Sequence, residues 1–570
     1  ILDESEALNI IKKLPKDKAP GPDGIPNRIL KRVASVAPAL VTKIFQACID
    51  QGVHPRQWKE ATTVLLKKPG KDDYSNPSAY RPIALLNTLG KVLEAVVARR
   101  MRYAVEKHRL LPETQMGARR GRSTETALHL LTEKVYTIWA GNKPRVASIL
   151  SLDVAGAFDR VSHARLAHNL RKRKIPETLV RWIEDFLKNR YTEIRIADFT
   201  LEKSRVDAGI PQGSPISPIL YLFYNADLLD ICENRILRTS PTGFVDDVNL
   251  LTYGTTTEGN CKNLERIHSA CEDWARRHGS KFNPDKYELL HLTRTPKRFN
   301  MKANVRIGIK EIHPAKDIRI LGVRVDSALK WKAQLRAVET HAIRMLSALQ
   351  SITGSTWGYG TGASRLVYIS MIRPAMIYGA SAWYTPEGIK GTRKGVANKL
   401  KSLQGKYLRI VAGAYRATST EALEIETHTQ PIDIALESRV ARTILSIGAS
   451  HARRVIREDT KKIRQQMRSK KGRPARVRKT LGQRKEQWMH QIGKTKTYEL
   501  EDKEERPPWA AQDTHEQRRI NAAHKSYVQD AQKAIKEEGE KKWKKRWEQG
   551  KKGQHLRRIA EEPDEKNRML

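Results

Sequence analysis

Cysteine is scarce in these 570 residues. Cys48, Cys232, Cys261 and Cys271 are the whole set, no two form a CxxC pair, and none has a histidine at zinc-ligand spacing. A disulfide framework and a structural zinc site are therefore excluded as organising devices. Cys271 falls on the stripe Leu264, Ile267, Cys271, Trp274, a helix-face spacing that reads it as a small buried hydrophobe, and four thiols suit a reducing, intracellular compartment. No apolar run is long enough to span a bilayer, and a mean hydropathy of −0.60 with 30% charged residues argues against a membrane protein. No GxxxxGK[ST] loop occurs, and GYGTG (358–362) is too short for a phosphate loop and reads as a turn. Internal repeats are absent too. The first residues carry neither a signal-peptide core nor a transit pattern, and a chain opening on Ile1 is expected to be truncated at that end.

Acidic residues are also in deficit, 63 Asp+Glu against 106 Lys+Arg, for a net charge of +43. A surface so basic attracts polyanions, of which nucleic acid is the commonest large one. The excess is not confined to a tail: residues 451–570 hold +16 of it and residues 1–450 the other +27. Within the last part, KKIRQQMRSKKGRPARVRKT (461–480) has ten basic residues and no acidic one. Lys470, Lys471, Arg473 and Arg476 stand there as candidate nucleic-acid contacts, although such a run is commonly plain solvated surface. Trp543 and Trp547, four apart among lysines and Arg546, are candidates for stacking on bases, with anchorage of a helix as the equal alternative.

Hydrophobic residues make up 39% of the chain and tryptophan numbers 11, enough for real cores. From 1 to about 330, helical periodicity alternates with short β-rich runs: TTVLLKK (62–68), VASILSLDV (146–154), EIRIA (193–197), GFVDDVNLL (243–251), YELLHL (287–292) and IRILGVRV (318–325). From 341 to about 450 the pattern is mostly helical, and beyond 480 it is charged helix with linkers. This order predicts an α+β core, a helical follow-on and a basic extension.

Chemistry concentrates in three places. In GFVDDVNLL two adjacent carboxylates, Asp246 and Asp247, interrupt two apolar strands at a hairpin turn. Asp is common in turns, yet two like charges half-buried side by side raise one pKa unless cations neutralise them, and a divalent metal is the natural occupant. SLDVAGAFDRVSH (151–163) delivers Asp153 at a strand end. A carboxylate there, brought beside the hairpin tip, makes a ligand set for two Mg2+ ions roughly 3.5–4 Å apart, the arrangement of in-line phosphoryl transfer. Asp159 reads as a helix-start or structural acid. AGIPQGSPISPILYLF (208–223) sets Gly209, Pro211 and Gly213 around Gln212 ahead of an apolar helix, a backbone suited to close approach by a ligand.

The ordered series APGPDGIPNRIL (19–30), YRPIALLNTLGKVLE (80–94), QMGARRGRST (115–124), DVAGAFDRV, GIPQGSPISP, FVDD, FNPDKYE (282–288) and ILGVRVD (320–326) resembles the reverse transcriptases of non-LTR (LINE-type) retrotransposons over about residues 5–440. RPAMIYGASAWY (373–384) is similar in style to fungal elements. The resemblance implies a right-hand polymerase of class α+β: fingers over 1–150, palm over 151–295, thumb and connection over 296–450, and a basic, largely helical or partly disordered extension over 451–570. It implies RNA-directed DNA polymerisation of dNTPs onto a DNA primer along an RNA template, with two Mg2+ ions, or Mn2+, held by Asp153, Asp246 and Asp247. Phe158 matches the aromatic that blocks a ribose 2′-hydroxyl, Gln212 a contact to the incoming nucleotide, and Lys286 a proton donor to pyrophosphate. Arg81 and Arg119 match arginines suited to triphosphate or template phosphate. Ala118 stands where the family usually has Phe, and Val245 where Ala is commoner. Neither an endonuclease nor a ribonuclease H segment is recognised. A nuclear or cytoplasmic ribonucleoprotein location is expected, or a mitochondrial one. The rivals are a catalytically idle nucleic-acid-binding remnant and a group II intron maturase.

Overall fold

The run VASILSL, apolar or small at every position, forms the strand Val146–Leu152 with its first five residues buried. A strand turns alternate side chains to opposite faces, so continuous burial requires a cover on both. The computed structural model of the chain supplies it. It describes residues 2–141, 143–196, 199–354, 357–389, 394–467, 479–494, 515–550 and 556.

Val146–Leu152 is an inner strand of a four-stranded antiparallel sheet in the order Glu288–Leu292, Val146–Leu152, Asp247–Gly254, Thr239–Phe244. Leu150, Leu152, Val248 and Leu250 join one core with the helices Ser217–Cys232 and Thr257–His278. Ala147, Ile149, Leu251 and Tyr253 join a second core against the helix Thr124–Trp139. The helix Ser217–Cys232 is apolar all round and accordingly buried almost throughout. Ser123 caps Thr124–Trp139 by accepting from the Thr126 amide, and Thr256 caps Thr257–His278 by accepting from Gly259.

A second sheet runs Tyr80–Leu86, Glu60–Lys67, Arg190–Ile196, Phe199–Thr200, with Ser204–Val206 also paired to Arg190–Ile196. Its Glu60–Lys67 and Arg190–Ile196 strands are parallel. The run 318–325, read as one strand, is a hairpin of Asp317–Ile320 and Val323–Asp326, because Gly322 at φ +85° lets the chain reverse. All four cysteines are free and buried, with Cys232 Sγ 3.5 Å from Cys271 Sγ. Among the described residues no single helix is long and apolar enough to cross a membrane. The pair Asn27–Val36 and Pro38–Gln51 reaches that apolarity only jointly, across a 105° bend.

The described part of the expected basic extension is docked onto the body. Lys134 Nζ meets Asp459 Oδ2 at 3.0 Å, Thr480 Oγ1 donates to Glu133 at 2.6 Å, and Lys485 donates to the Ser381 carbonyl at 2.7 Å. The first two pairs bring the helices Ala452–Gln466 and Leu481–Ile492 onto Thr124–Trp139, and the third ties Leu481–Ile492 to the short helix Ala380–Trp383. The long helix His515–Gln549 lies along Ile432–Gly448, pinned by Lys542 to Glu437 at 2.7 Å and Arg546 to Asp433 at 2.6 Å.

Candidate active site

The last registered pair between the two inner strands is Leu152 opposite Val248. One step further the same register brings Asp153 level with Asp247, so a strand end and a hairpin tip present carboxylates to each other. Phe244 pairs with Asp247, leaving Val245 and Asp246 as a two-residue loop. Such loops need φ > 0 at their first residue and favour glycine there. Val245 adopts it at φ +59°, and a β-branched residue held in that region costs about 1–3 kcal/mol.

Asp246 and Asp247 keep contact with solvent, yet neighbouring atoms strip away much of their hydration. That desolvation, followed by the charges of Asp246 and Asp153, pushes Asp247 up to about 6. Desolvation raises Asp246 as well, with Asp153 adding to it and the Asp246 backbone amide opposing. Lys286 Nζ donates to Asp153 Oδ2 at 3.0 Å. It is carried by the turn Pro284–Lys286, whose preceding residue Asn283 donates its amide to the Asp153 carbonyl at 3.0 Å. The strand Lys281–Phe282 pairs with Val154–Ala155 just beyond. Three carboxylates that repel one another, only one with a close ammonium partner, fit a divalent cation by the chemistry of the donor set. They are neighbours rather than a closed cage: among the described residues no three His, Cys, Asp or Glu side chains are gathered closely enough to hold a metal.

Phe158 stacks on Tyr221, ring centroids 5.2 Å apart and planes 11° from parallel. Tyr221, buried with its hydroxyl unpartnered, has its phenol pushed well up by burial and then by the Asp246 charge. The Phe158 carbonyl accepts from Ile210 at 2.9 Å and the Val161 carbonyl from Gly209 at 2.9 Å, stitching the Gln212 loop to the turn that carries Phe158. Gln212 donates its side-chain amide to Asp159 Oδ1 at 2.9 Å, while its carbonyl accepts from Ala84 at 2.7 Å. A Cβ on Gly213, at φ +124°, would lie 2.5 Å from the Ala84 carbonyl oxygen; only glycine allows this approach. The structure thus brings Asp153, Asp246, Asp247 and Lys286 into one group and ties Phe158 and Gln212 together beside it. Arg81 stands exposed on the strand Tyr80–Leu86.

Two readings are corrected. Arg119 is 5% exposed, and its guanidinium donates to Glu106 at 2.8 and 2.9 Å and to the Pro112 carbonyl at 2.9 Å. Its fork is spent inside the protein rather than offered to a phosphate. Trp543 and Trp547 are 7% and 3% exposed, in an apolar cluster with Ile425 and Ile434. They anchor the long helix, and their rings are not free to stack on bases. Lys470, Lys471, Arg473 and Arg476 lie outside the described residues.

Sequence reading missed Gln115 and Asn225. The Gln115 Oε1 accepts from the Val245 amide at 3.1 Å and its Nε2 donates to the Val245 carbonyl at 3.3 Å; Asn225 Nδ2 donates to that carbonyl at 2.6 Å. Gln115 lies in QMGARRGRST beside Ala118 and Arg119, and nothing about a glutamine there marks a backbone target.

Residues 66–325 match the family described as reverse transcriptase (RNA-dependent DNA polymerase). That matched span contains every residue of the carboxylate site. Among curated proteins it is similar to a probable RNA-directed DNA polymerase from transposon BS of Drosophila melanogaster, 27% identical over 74% of this chain and 46% of that protein. It is also similar to the RNA-directed DNA polymerase from mobile element jockey of the same species, 26% identical over 72% of this chain and 44% of that one. A third relative, the putative 115 kDa protein in type-1 retrotransposable element R1DM, again of Drosophila melanogaster, is 28% identical over 76% of this chain and 40% of its own length. The chain spans less than half the length of these relatives.

Proposed function

We propose that this chain is the RNA-directed DNA polymerase of a non-LTR retrotransposon, extending a DNA primer along an RNA template with dNTPs. The observation that carries the reading is the register that sets Asp153 level with Asp247 at the tip bearing Asp246, inside the reverse transcriptase span. In the proposed right-hand layout the four-stranded sheet is the palm, the strand Tyr80–Leu86 belongs to the fingers, and residues 296–450 form the thumb and connection. Asp153, Asp246 and Asp247 would hold Mg2+ or Mn2+; bound there, two such ions supply Lewis-acid stabilisation of the attacking and leaving oxygens. Lys286, bonded to Asp153, would give a proton to departing pyrophosphate. Phe158, stiffened by Tyr221, would exclude a 2′-hydroxyl, and Gln212 would lie along the nucleotide. The basic surface would follow template and primer phosphates. A fungal source and a nuclear or cytoplasmic ribonucleoprotein location belong to the same proposal.

The test is primer extension on an RNA template with dNTPs and Mg2+. Template-directed product from the wild-type chain, abolished in Asp246→Ala/Asp247→Ala, is the expected result. Absence of product from folded wild-type protein, with nucleic-acid binding retained, would sink the polymerase reading in favour of an idle remnant.

A further inference from the structure

Val245 sits in a backbone region that its β-branched side chain disfavours, yet its turn carries Asp246 and launches Asp247. Both backbone polar groups of Val245 are taken up by side chains from outside the hairpin. Gln115, 1% exposed, grips its amide and carbonyl with one side-chain amide, and Asn225, also 1% exposed, donates to the carbonyl from the buried helix Ser217–Cys232. Gln115 is itself held. The Thr114 carbonyl accepts from Gly243 at 3.1 Å and the Met116 amide donates to Gly243 at 2.7 Å, so residues 114–116 run parallel to Thr239–Phe244 as an added edge. Gln115 Oε1 accepts from the Gly117 amide as well, at 3.1 Å. A Cβ on Gly117 would come within 2.4 Å of the Val245 nitrogen, so the bare backbone at 117 is what lets this segment press against the turn.

We propose that Gln115 and Asn225 are positioning residues that lock the strained Val245 turn, fixing where Asp246 and Asp247 stand relative to Asp153. They touch no reacting atom and act through Val245; a preorganised carboxylate set is what their bonds would secure. The inference rests on the polymerase reading for its kinetic consequence, while the lock itself can be measured without catalysis.

Gln115→Met keeps the side-chain volume and removes both bonds; Gln115→Leu removes them as well with a shorter side chain and serves should the Met variant fail to fold. In the full chain, amide hydrogen exchange at Val245 should accelerate about tenfold in Gln115→Met, the loss expected for one buried hydrogen bond. The rate of single-nucleotide addition should fall by about the same factor, with KM for dNTP within about twofold, the pattern of a transition-state rather than a binding defect. Glycine tolerates the turn without a lock, so Val245→Gly in the Gln115→Met background should restore most of the lost rate, which general loosening of the fold would not permit. Unchanged Val245 exchange in a folded Gln115 variant overturns the lock. Faster exchange with an unchanged addition rate overturns the positioning role. If the wild-type chain adds no nucleotide, the polymerase reading fails by itself and the exchange result still decides the lock.

Discussion

Lys286 Nζ lies 3.0 Å from Asp153 Oδ2, joining a turn after the helix Thr257–His278 to the end of the strand Val146–Leu152. The lysine is more than half exposed, so the pair contributes little to stability, about 0–1 kcal/mol. Its value is placement. Lys286→Ala should leave thermal unfolding nearly unmoved while slowing nucleotide addition by about a hundredfold, the low end for loss of a general acid, with little recovery in Lys286→Arg, whose guanidinium does not release its proton. Rapid-quench primer extension checks this; an unchanged rate removes Lys286 from the mechanism.

Asp247 titrates at about 6 against an ordinary 3.8. The native state therefore binds this proton more readily than the unfolded chain, so the linked stabilisation is complete below the ordinary value and is lost as pH rises through about 6. In EDTA at pH 7.5, Asp247→Asn should be more stable than the wild type, by no more than about 1 kcal/mol once solvent screening of an exposed carboxylate is allowed for. The gain should vanish near pH 4. Added Mg2+ should stabilise the wild type at pH 7.5 and leave the variant unmoved. Denaturant melts at the two pH values, with and without Mg2+, measure all three.

Phe158 is held by Tyr221 rather than by the backbone alone. Phe158→Ala should raise ribonucleotide incorporation relative to deoxynucleotide by about ten- to a hundredfold, the discrimination that a steric wall of this size supplies. Tyr221→Leu should give a smaller shift of the same sign by freeing the ring. Competition between rNTP and dNTP in the extension assay reads both.

Arg119 bridges Glu106 and Glu113 from a buried position. Arg119→Ala should destabilise the chain by at most about 3 kcal/mol, because it breaks a buried pair and leaves Glu106 and Glu113 to Arg122 alone. KM for dNTP should stay at the wild-type value. A selective rise in KM with unchanged stability would return Arg119 to the phosphate-binding role its motif suggested.

The strands and the carboxylates were legible in sequence because both depend on local pattern: apolar runs mark the two inner strands, and Asp-Asp at the head of the second marks its turn from the edge strand. The pairing of those runs then makes the site, and Asp153 needs only the register to meet Asp247. The phosphate reading of Arg119 and the stacking reading of the two tryptophans fail for one shared reason. A basic or aromatic residue beside other basic residues has the same sequence signature whether it faces solvent or a partner, and Glu106, Ile425 and Ile434 lie too far along the chain to be paired with it by eye. Gln115 was invisible because its chemistry is directed at a backbone 130 residues away, and a lone glutamine announces nothing.

The back of the catalytic sheet has a consequence for the length of the coding sequence. Ala147, Ile149, Leu251 and Tyr253 share a core with Tyr407, Leu436, Met489 and Ile535, so the wall behind the carboxylates is built from residues translated long after them. A premature stop between residues 326 and 488 would spare every carboxylate and still uncover that wall. The C-terminal helices thus support the carboxylate sheet from behind, at a distance in sequence of more than 150 residues.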